Sequence, residues 1–131
     1  MSWKRDTVKM LRQYEPMSAA VQNIPLELQR LELHTPAGEE TPSGGTLELM
    51  IKKKCLQRSL ENARLWLQAA DRALSILTPE ERLMLHRFYI CPMPRAAETL
   101  SEDLLLEKAS IYRRRTQALR RFAIAFYGIE L

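Results

Sequence analysis

The chain has 131 residues, of which 46% are hydrophobic and 27% charged, and its net charge is +4. This balance fits a folded protein with an apolar core and argues against a disordered chain. In addition, no segment of the sequence has the roughly 18 uninterrupted apolar residues that a membrane span requires. Glycine and aromatic residues are scarce whereas leucine, arginine and glutamate are plentiful, so we predict an all-α fold.

The first third of the chain predicts helices followed by a connector. Residues 3–13 form a short predicted helix, and residues 18–33 place apolar side chains at three- and four-residue steps. Pro25 is expected to kink that second helix or to begin a fresh one. Residues 34–45, HTPAGEETPSGG, hold two of the seven prolines and three of the four glycines, which predicts a flexible connector. We therefore expect an N-terminal helical arm, residues 1–33, ahead of a helical domain, residues 46–131.

A long amphipathic helix is predicted over residues 46–76, with Thr46 as its cap. No proline or glycine interrupts it. Two explanations of its apolar face stay open, namely packing within one chain and a homodimer through this helix.

Residues 77–127 predict a module of short helices. Thr78 and Glu81 form a capping box around Pro79, and this helix is expected to run to Ile90. A short helix from about residue 95 follows. The link after it, LSEDLLLE (100–107), is about four residues longer than a tight helix-turn-helix connection. It also carries acids near the expected phosphate positions, namely Glu102, Asp103 and Glu107.

The last predicted helix concentrates positive charge, because residues 108–121 contain six basic residues and no acidic one. At 100° per residue, one sector is apolar and is expected to face the core. It contains Ile111, Ala118, Phe122, Ala125 and Phe126, with Tyr112 and Leu119 at its margin. An arginine-rich side of a helix can simply face solvent instead of binding a polyanion. Solvent-facing sides, however, usually carry glutamate four residues from a basic residue, and none does so here. The opposite side carries Ser110, Arg113, Arg114, Gln117, Arg120 and Arg121.

The ordered set of features in residues 77–127 resembles region 4 of the sigma-70 family. It is more closely similar to the ArpU-like phage and prophage regulators of late transcription. The opener LTPEER (77–82) precedes an apolar helix and a short scaffold helix, and Ile111 stands seven positions before the pair Ala118-Leu119. The resemblance implies a helix-turn-helix that binds double-stranded DNA. The residues that it assigns to DNA contact, along the basic helix, are Lys108, Ser110, Arg113, Arg114, Gln117, Arg120 and Arg121.

Arg115 departs from the sigma pattern, which normally has a buried leucine at this place. We expect its side chain to reach outward to solvent or to pair with Glu98 or Asp71, because an unpaired buried charge is costly.

These features together predict a phage-derived, DNA-binding regulator of transcription in the cytoplasm of a bacterial host. Two alternatives stay open: a small terminase-like packaging protein, and a protein-interaction module that docks on RNA polymerase through the long helix. We expect no enzyme activity, cofactor or metal site. Cys55, Cys91, His34 and His86 stand alone, and no zinc, phosphate-loop or dinucleotide spacing occurs.

Overall fold

A computed structural model describes residues 2–33 and 44–128 of the chain. The described residues contain helices and no strand, which confirms the predicted all-α class. Within them, no helix combines the length and the apolar character that crossing a bilayer requires. The helical elements in chain order are α1 (Trp3–Arg12), α2 (Tyr14–Leu33), α3 (Gly44–Ser75), α4 (Pro79–Leu85), a π-turn (His86–Ile90), α5 (Ala96–Leu104) and α6 (Lys108–Tyr127).

The described residues belong to two compact units. The first unit comprises residues 1–15 and 68–131, and the second comprises residues 16–67. The first unit holds 14 Lys and Arg against 10 Asp and Glu, whereas the second holds six of each. The whole net charge of +4 therefore resides in the first unit. Helix α1 belongs to this unit together with α6, although the sequence placed it in a separate N-terminal arm.

The second unit contains most of α2 and the first three quarters of α3. Ion pairs join the two helices, with Lys53 Nζ 3.0 Å from a Glu32 carboxylate oxygen. Helix α2 continues through Pro25, so the expectation that a fresh helix begins there is wrong. Helix α3 begins at Gly44 and includes Thr46, which is therefore not its cap. The predicted connector lies outside the described residues over 34–43.

The first unit has two groups of buried apolar side chains. The smaller core cluster consists of Met84, Leu100 and Ile111, with Phe88 and Leu104 packed at its edge. Helix α6 contributes to both clusters, which fixes its rotation about its own axis. The larger core cluster joins α1, the end of α3, α4, the π-turn and α6, and consists of Leu11, Ala73, Leu77, Leu85, Ile90, Ala118, Leu119 and Phe122.

Helix α4 begins with the predicted capping box. The Thr78 hydroxyl accepts a hydrogen bond from the Glu81 amide at 3.2 Å, and the Glu81 carboxylate accepts one from the Thr78 amide at 2.9 Å. The helix runs to Ile90 as predicted, but its α-helical part ends at Leu85 and its last five residues form the π-turn, which was not predicted. The wider turn places Phe88 against the smaller core cluster and Ile90 in the larger one.

The connection between α5 and α6 is shorter than the sequence indicated. Helix α5 continues to Leu104, so only three residues, 105–107, separate it from α6. The Leu106 amide donates to the Ser101 carbonyl at 3.2 Å, and Leu105 adopts a left-handed conformation with φ of 55°. The expected long link was wrong. The observed turn has the length found in helix-turn-helix motifs.

Candidate nucleic-acid interface

Five of the seven predicted DNA-contacting residues line one open groove between α6 and the beginning of α4. We call this the α4–α6 groove; it has a volume of about 1040 Å³. All five side chains are exposed. Helix α4 and its N-cap contribute Thr78, Pro79, Glu80, Glu81 and Met84, and helix α6 contributes Arg113, Arg114, Gln117, Arg120 and Arg121.

The buried side of α6 holds the groove residues outward. Ile111, Ala118 and Phe122 are buried as predicted, whereas Ala125 is exposed, so its placement in the core was wrong. Ala123 is fully buried instead. The reason is that α1 packs on α6 and widens the covered sector toward Leu119. A helical wheel drawn for α6 alone cannot show this contact, because α1 is distant in the sequence.

Two of the arginines in the α4–α6 groove are paired with carboxylates of α4. Arg114 Nη1 lies 3.1 Å from Glu80 Oε2, and the Arg121 guanidinium pairs with Glu81 and donates to the Ile76 carbonyl at 3.0 Å. Arg114 and Glu80 are both about half exposed, and ion pairs in that setting contribute little stability and exchange readily. Glu81 is only 14% exposed, so Arg121 is held more firmly.

Arg113 has a different partner, since its Nη2 donates to the Ser110 hydroxyl at 3.1 Å. A hydroxyl leaves the guanidinium charge uncompensated. The lining of the groove carries four guanidinium groups and two carboxylates, an excess of two positive charges. Phosphate oxygens compete well for such groups because guanidinium–phosphate contacts form paired, charge-assisted hydrogen bonds.

Lys108 and Ser110 do not line the α4–α6 groove, although the resemblance assigned both to DNA contact. Lys108 Nζ lies 3.1 Å from Glu98 Oε1. The pKa of Glu98 is lowered, first by a hydrogen bond from its own backbone amide and then by the Lys108 ammonium. Of the acids expected near phosphate, Asp103 pairs with Arg87 at 2.7 Å.

A second basic surface lies on another side of α6, and we did not predict it from the sequence. We call it the α1–α6 cleft; its volume is about 510 Å³. The signal in the sequence is the spacing of basic residues in WKRDTVKMLR, where positions 4, 5, 9 and 12 share one side of a helix. The cleft is lined by Lys4, Arg5, Val8, Lys9 and Arg12 of α1 and its C-cap Gln13, with Tyr89, Arg115, Thr116 and Leu119.

Arg115 stacks on aromatic rings at the edge of this cleft. Its guanidinium carbon lies 4.7 Å from the Phe88 ring centre and 5.0 Å from that of Tyr112. Of the two expected arrangements, pairing with Glu98 or Asp71 is wrong, because no ion pair among the described residues involves Arg115. Glu98 pairs with Lys108, and Asp71 accepts a hydrogen bond from the Tyr14 hydroxyl. The Arg115 Nε is buried without a hydrogen-bond partner.

Neither surface has the features of a metal centre, because no three His, Cys, Asp or Glu side chains converge within the described ranges. Comparison of the chain with protein-family models, with curated proteins and with solved structures finds no match. The resemblance to sigma-70 region 4 and to ArpU-like regulators therefore stays a prediction, and the function has to be argued from the two basic surfaces.

Proposed function

We propose that this chain binds double-stranded DNA through the α4–α6 groove and acts as a regulator of transcription. The observation that carries the proposal is the convergence of five predicted DNA-contacting side chains in one open groove. The three-residue turn before α6 adds support, since helix-turn-helix proteins present their recognition helix after such a turn. A role in phage late transcription rests on the resemblance in residues 77–127.

The groove offers both kinds of contact that sequence-selective binding needs. Arg113 and Arg114 stand on exposed turns of α6 where backbone phosphates can reach them, and phosphate contacts set affinity and register. Gln117 lies between them and Arg120 along the helix, and a glutamine amide can read an adenine edge with two hydrogen bonds. The pairs of Arg114 and Arg121 with α4 carboxylates open when phosphate takes over the arginines.

Charge reversal of the groove tests the proposal. The double variant Arg113→Glu/Arg114→Glu is expected to weaken binding to a short duplex by about tenfold or more, and to flatten the dependence of affinity on salt. The control is Arg58→Glu/Arg64→Glu, which makes the same charge change on exposed residues of the second unit. Fluorescence anisotropy gives the affinities and circular dichroism the helicity. If the groove variant binds as the control does, with its helicity intact, the α4–α6 groove is not the DNA site.

A second candidate function, binding of a protein partner, has support in the second unit. Leu47, Met50 and Ile51 are exposed on the first turns of α3, and exposed apolar side chains in one stretch mark interaction surfaces. A homodimer and RNA polymerase are the partners that the sequence left open. Light scattering of the full chain tests this candidate: a dimer that Leu47→Glu/Ile51→Glu converts to a monomer supports it. A ring of eight or more subunits supports the packaging alternative.

A further inference from the structure

The α1–α6 cleft carries more uncompensated charge than the α4–α6 groove. Its lining includes five cationic side chains and, among the described residues, no carboxylate. Four of the cations stand on α1 between positions 4 and 12, a row of about 12 Å at the rise of an α-helix. The fifth, Arg115, faces them from α6.

Internal partners do not neutralise this row. Within the parts of the chain that the structure describes, no ion pair involves Lys4, Arg5, Lys9, Arg12 or Arg115. The Lys4 ammonium lies 5.8 Å from the Trp3 ring centre, and Arg115 keeps a buried Nε without a hydrogen-bond partner. Like charges held together destabilise a folded protein, and a bound polyanion removes that cost.

Tyr89 lines the cleft together with Arg12 and Arg115. Burial raises the pKa of the Tyr89 phenol, and the positive charges of Arg115 and Arg12 oppose this rise. Arg12 of α1 and Arg115 of α6 therefore act on one phenol from two helices. Such a convergence suits a ligand with several negative charges.

The shape of the cleft favours a phosphate backbone over a small anion or an acidic peptide. Small phosphates are commonly held by backbone amides at a helix N-terminus, whereas this lining consists of side chains along the whole length of α1 and in the middle of α6. Peptides gain affinity from apolar pockets or from pairing with a strand edge, and helical walls offer no edge. A row of exposed, long cationic side chains matches successive phosphates of one strand.

The two basic surfaces occupy different sides of α6. The α1–α6 cleft uses positions 115, 116 and 119, and the α4–α6 groove uses positions 113, 114, 117, 120 and 121. At 100° per residue the centres of the two sets point roughly 150° apart. One straight duplex cannot lie against both.

We propose that the α1–α6 cleft is a second nucleic-acid site that holds the phosphate backbone of a separate duplex segment, so that one chain links two segments. The part of this proposal in which one chain links two duplex segments rests on the proposed function of the α4–α6 groove. The part in which the α1–α6 cleft binds phosphate does not depend on that function. Contacts in the cleft are to phosphate, so this site is expected to be indifferent to base sequence.

A bridging assay on the full chain tests the proposal. A duplex of random sequence is fixed to beads, the protein is added, and capture of a second, fluorescent duplex is measured. The cleft variant is Arg5→Gln/Lys9→Gln/Arg12→Gln, which neutralises three exposed side chains that make no ion pair among the described residues. Its matched control is Lys54→Gln/Arg58→Gln/Arg64→Gln, with the same loss of charge on exposed residues of the second unit. Anisotropy of a free duplex and of a poly-glutamate peptide is measured in parallel.

The cleft variant is expected to keep binding one duplex through the α4–α6 groove and to lose about tenfold or more of the bridging, while the control bridges normally. Bridging by the cleft variant equal to that of the control overturns the proposal. Loss of poly-glutamate binding with unchanged bridging also overturns it, in favour of an acidic protein partner.

The two proposals fail in different ways. If Arg113→Glu/Arg114→Glu has no effect while the cleft variant loses all duplex binding, the α1–α6 cleft stands as a phosphate site and the function of the α4–α6 groove falls. If the wild-type chain binds no duplex at low salt, both are wrong.

Discussion

The guanidinium carbon of Arg115 lies 4.7 Å from the centre of the Phe88 ring. A cation over an aromatic face is attracted by the electron-rich ring, by about 0.5–1 kcal/mol at exposed sites. This contact lets a charged residue lie beside the smaller core cluster, where the sigma pattern has a buried leucine. The π-turn makes the contact available, because Phe88 is one of its five residues.

Arg115→Leu is expected to leave the free energy of unfolding within about 1 kcal/mol of wild type, because the lost stacking is offset by removal of a buried, unpartnered Nε. Urea denaturation followed by circular dichroism measures the change. Destabilisation above about 2 kcal/mol contradicts this balance and gives the stacked arginine a larger structural role.

Glu80→Gln/Glu81→Gln is expected to strengthen duplex binding by about threefold or more, because it removes the two carboxylates that compete with phosphate for Arg114 and Arg121. Glutamine at position 81 can keep the capping box, so α4 stays formed. Anisotropy titrations at several salt concentrations measure the effect. The control is Glu48→Gln/Glu61→Gln in the second unit, which makes the same charge change on exposed residues. An equal gain in both variants means that only net charge matters.

Tyr14→Phe tests a hydrogen bond with a defined pH dependence. The Tyr14 hydroxyl donates to Asp71 Oδ1 at 2.5 Å, which raises the pKa of Tyr14 to about 12 from its ordinary value of 10.0. The unfolded chain releases this proton near pH 10 and the folded chain near pH 12, so the stabilisation is complete below pH 10 and is lost as pH rises toward 12.

At about pH 8 we expect Tyr14→Phe to be about 0.5–1.5 kcal/mol less stable than wild type. The difference should shrink toward zero as pH rises from 10 to 12, and urea unfolding at a series of pH values follows it. The other tyrosines are present in both proteins, so their contributions to the pH dependence cancel in the difference between them. A difference that stays constant across this range shows that the hydroxyl contributes through packing instead.

Thr78→Ala removes the side chain that accepts from the Glu81 amide at the beginning of α4. The expected loss is about 1 kcal/mol of unfolding free energy, the usual value of an N-cap. Ser59→Ala in the middle of α3 is the control and should cost nothing, because alanine favours a helix interior. Equal midpoints of urea unfolding for the two variants contradict the importance of the cap.

Features that depend on neighbours in the chain could be predicted from the sequence. The capping box of Thr78 and Glu81 needs three residues in between and no tertiary contact, and it was predicted correctly. The outward side of α6 follows from helical geometry, so the exposure of Arg113, Arg114, Gln117, Arg120 and Arg121 was also predicted correctly.

Features that depend on distant parts of the chain could not be predicted in this way. The α1–α6 cleft exists because Leu11 of α1 packs in the larger core cluster with Leu119 and Phe122, more than 100 residues away along the chain. The π-turn similarly depends on tertiary packing, because it places Phe88 against the smaller core cluster and Ile90 in the larger core cluster. Helix α5 extends to Leu104, beyond its predicted end, because Leu104 packs against the smaller core cluster. The neighbouring acids Glu102, Asp103 and Glu107 had suggested an exposed link instead.

The confinement of the excess positive charge to residues 1–15 and 68–131 has a kinetic consequence. In the field of a polyanion, the first unit is attracted through its net charge of +4, whereas the evenly charged second unit adds no net attraction. Added salt should therefore slow the encounter with a polyanion by screening the charge of the first unit.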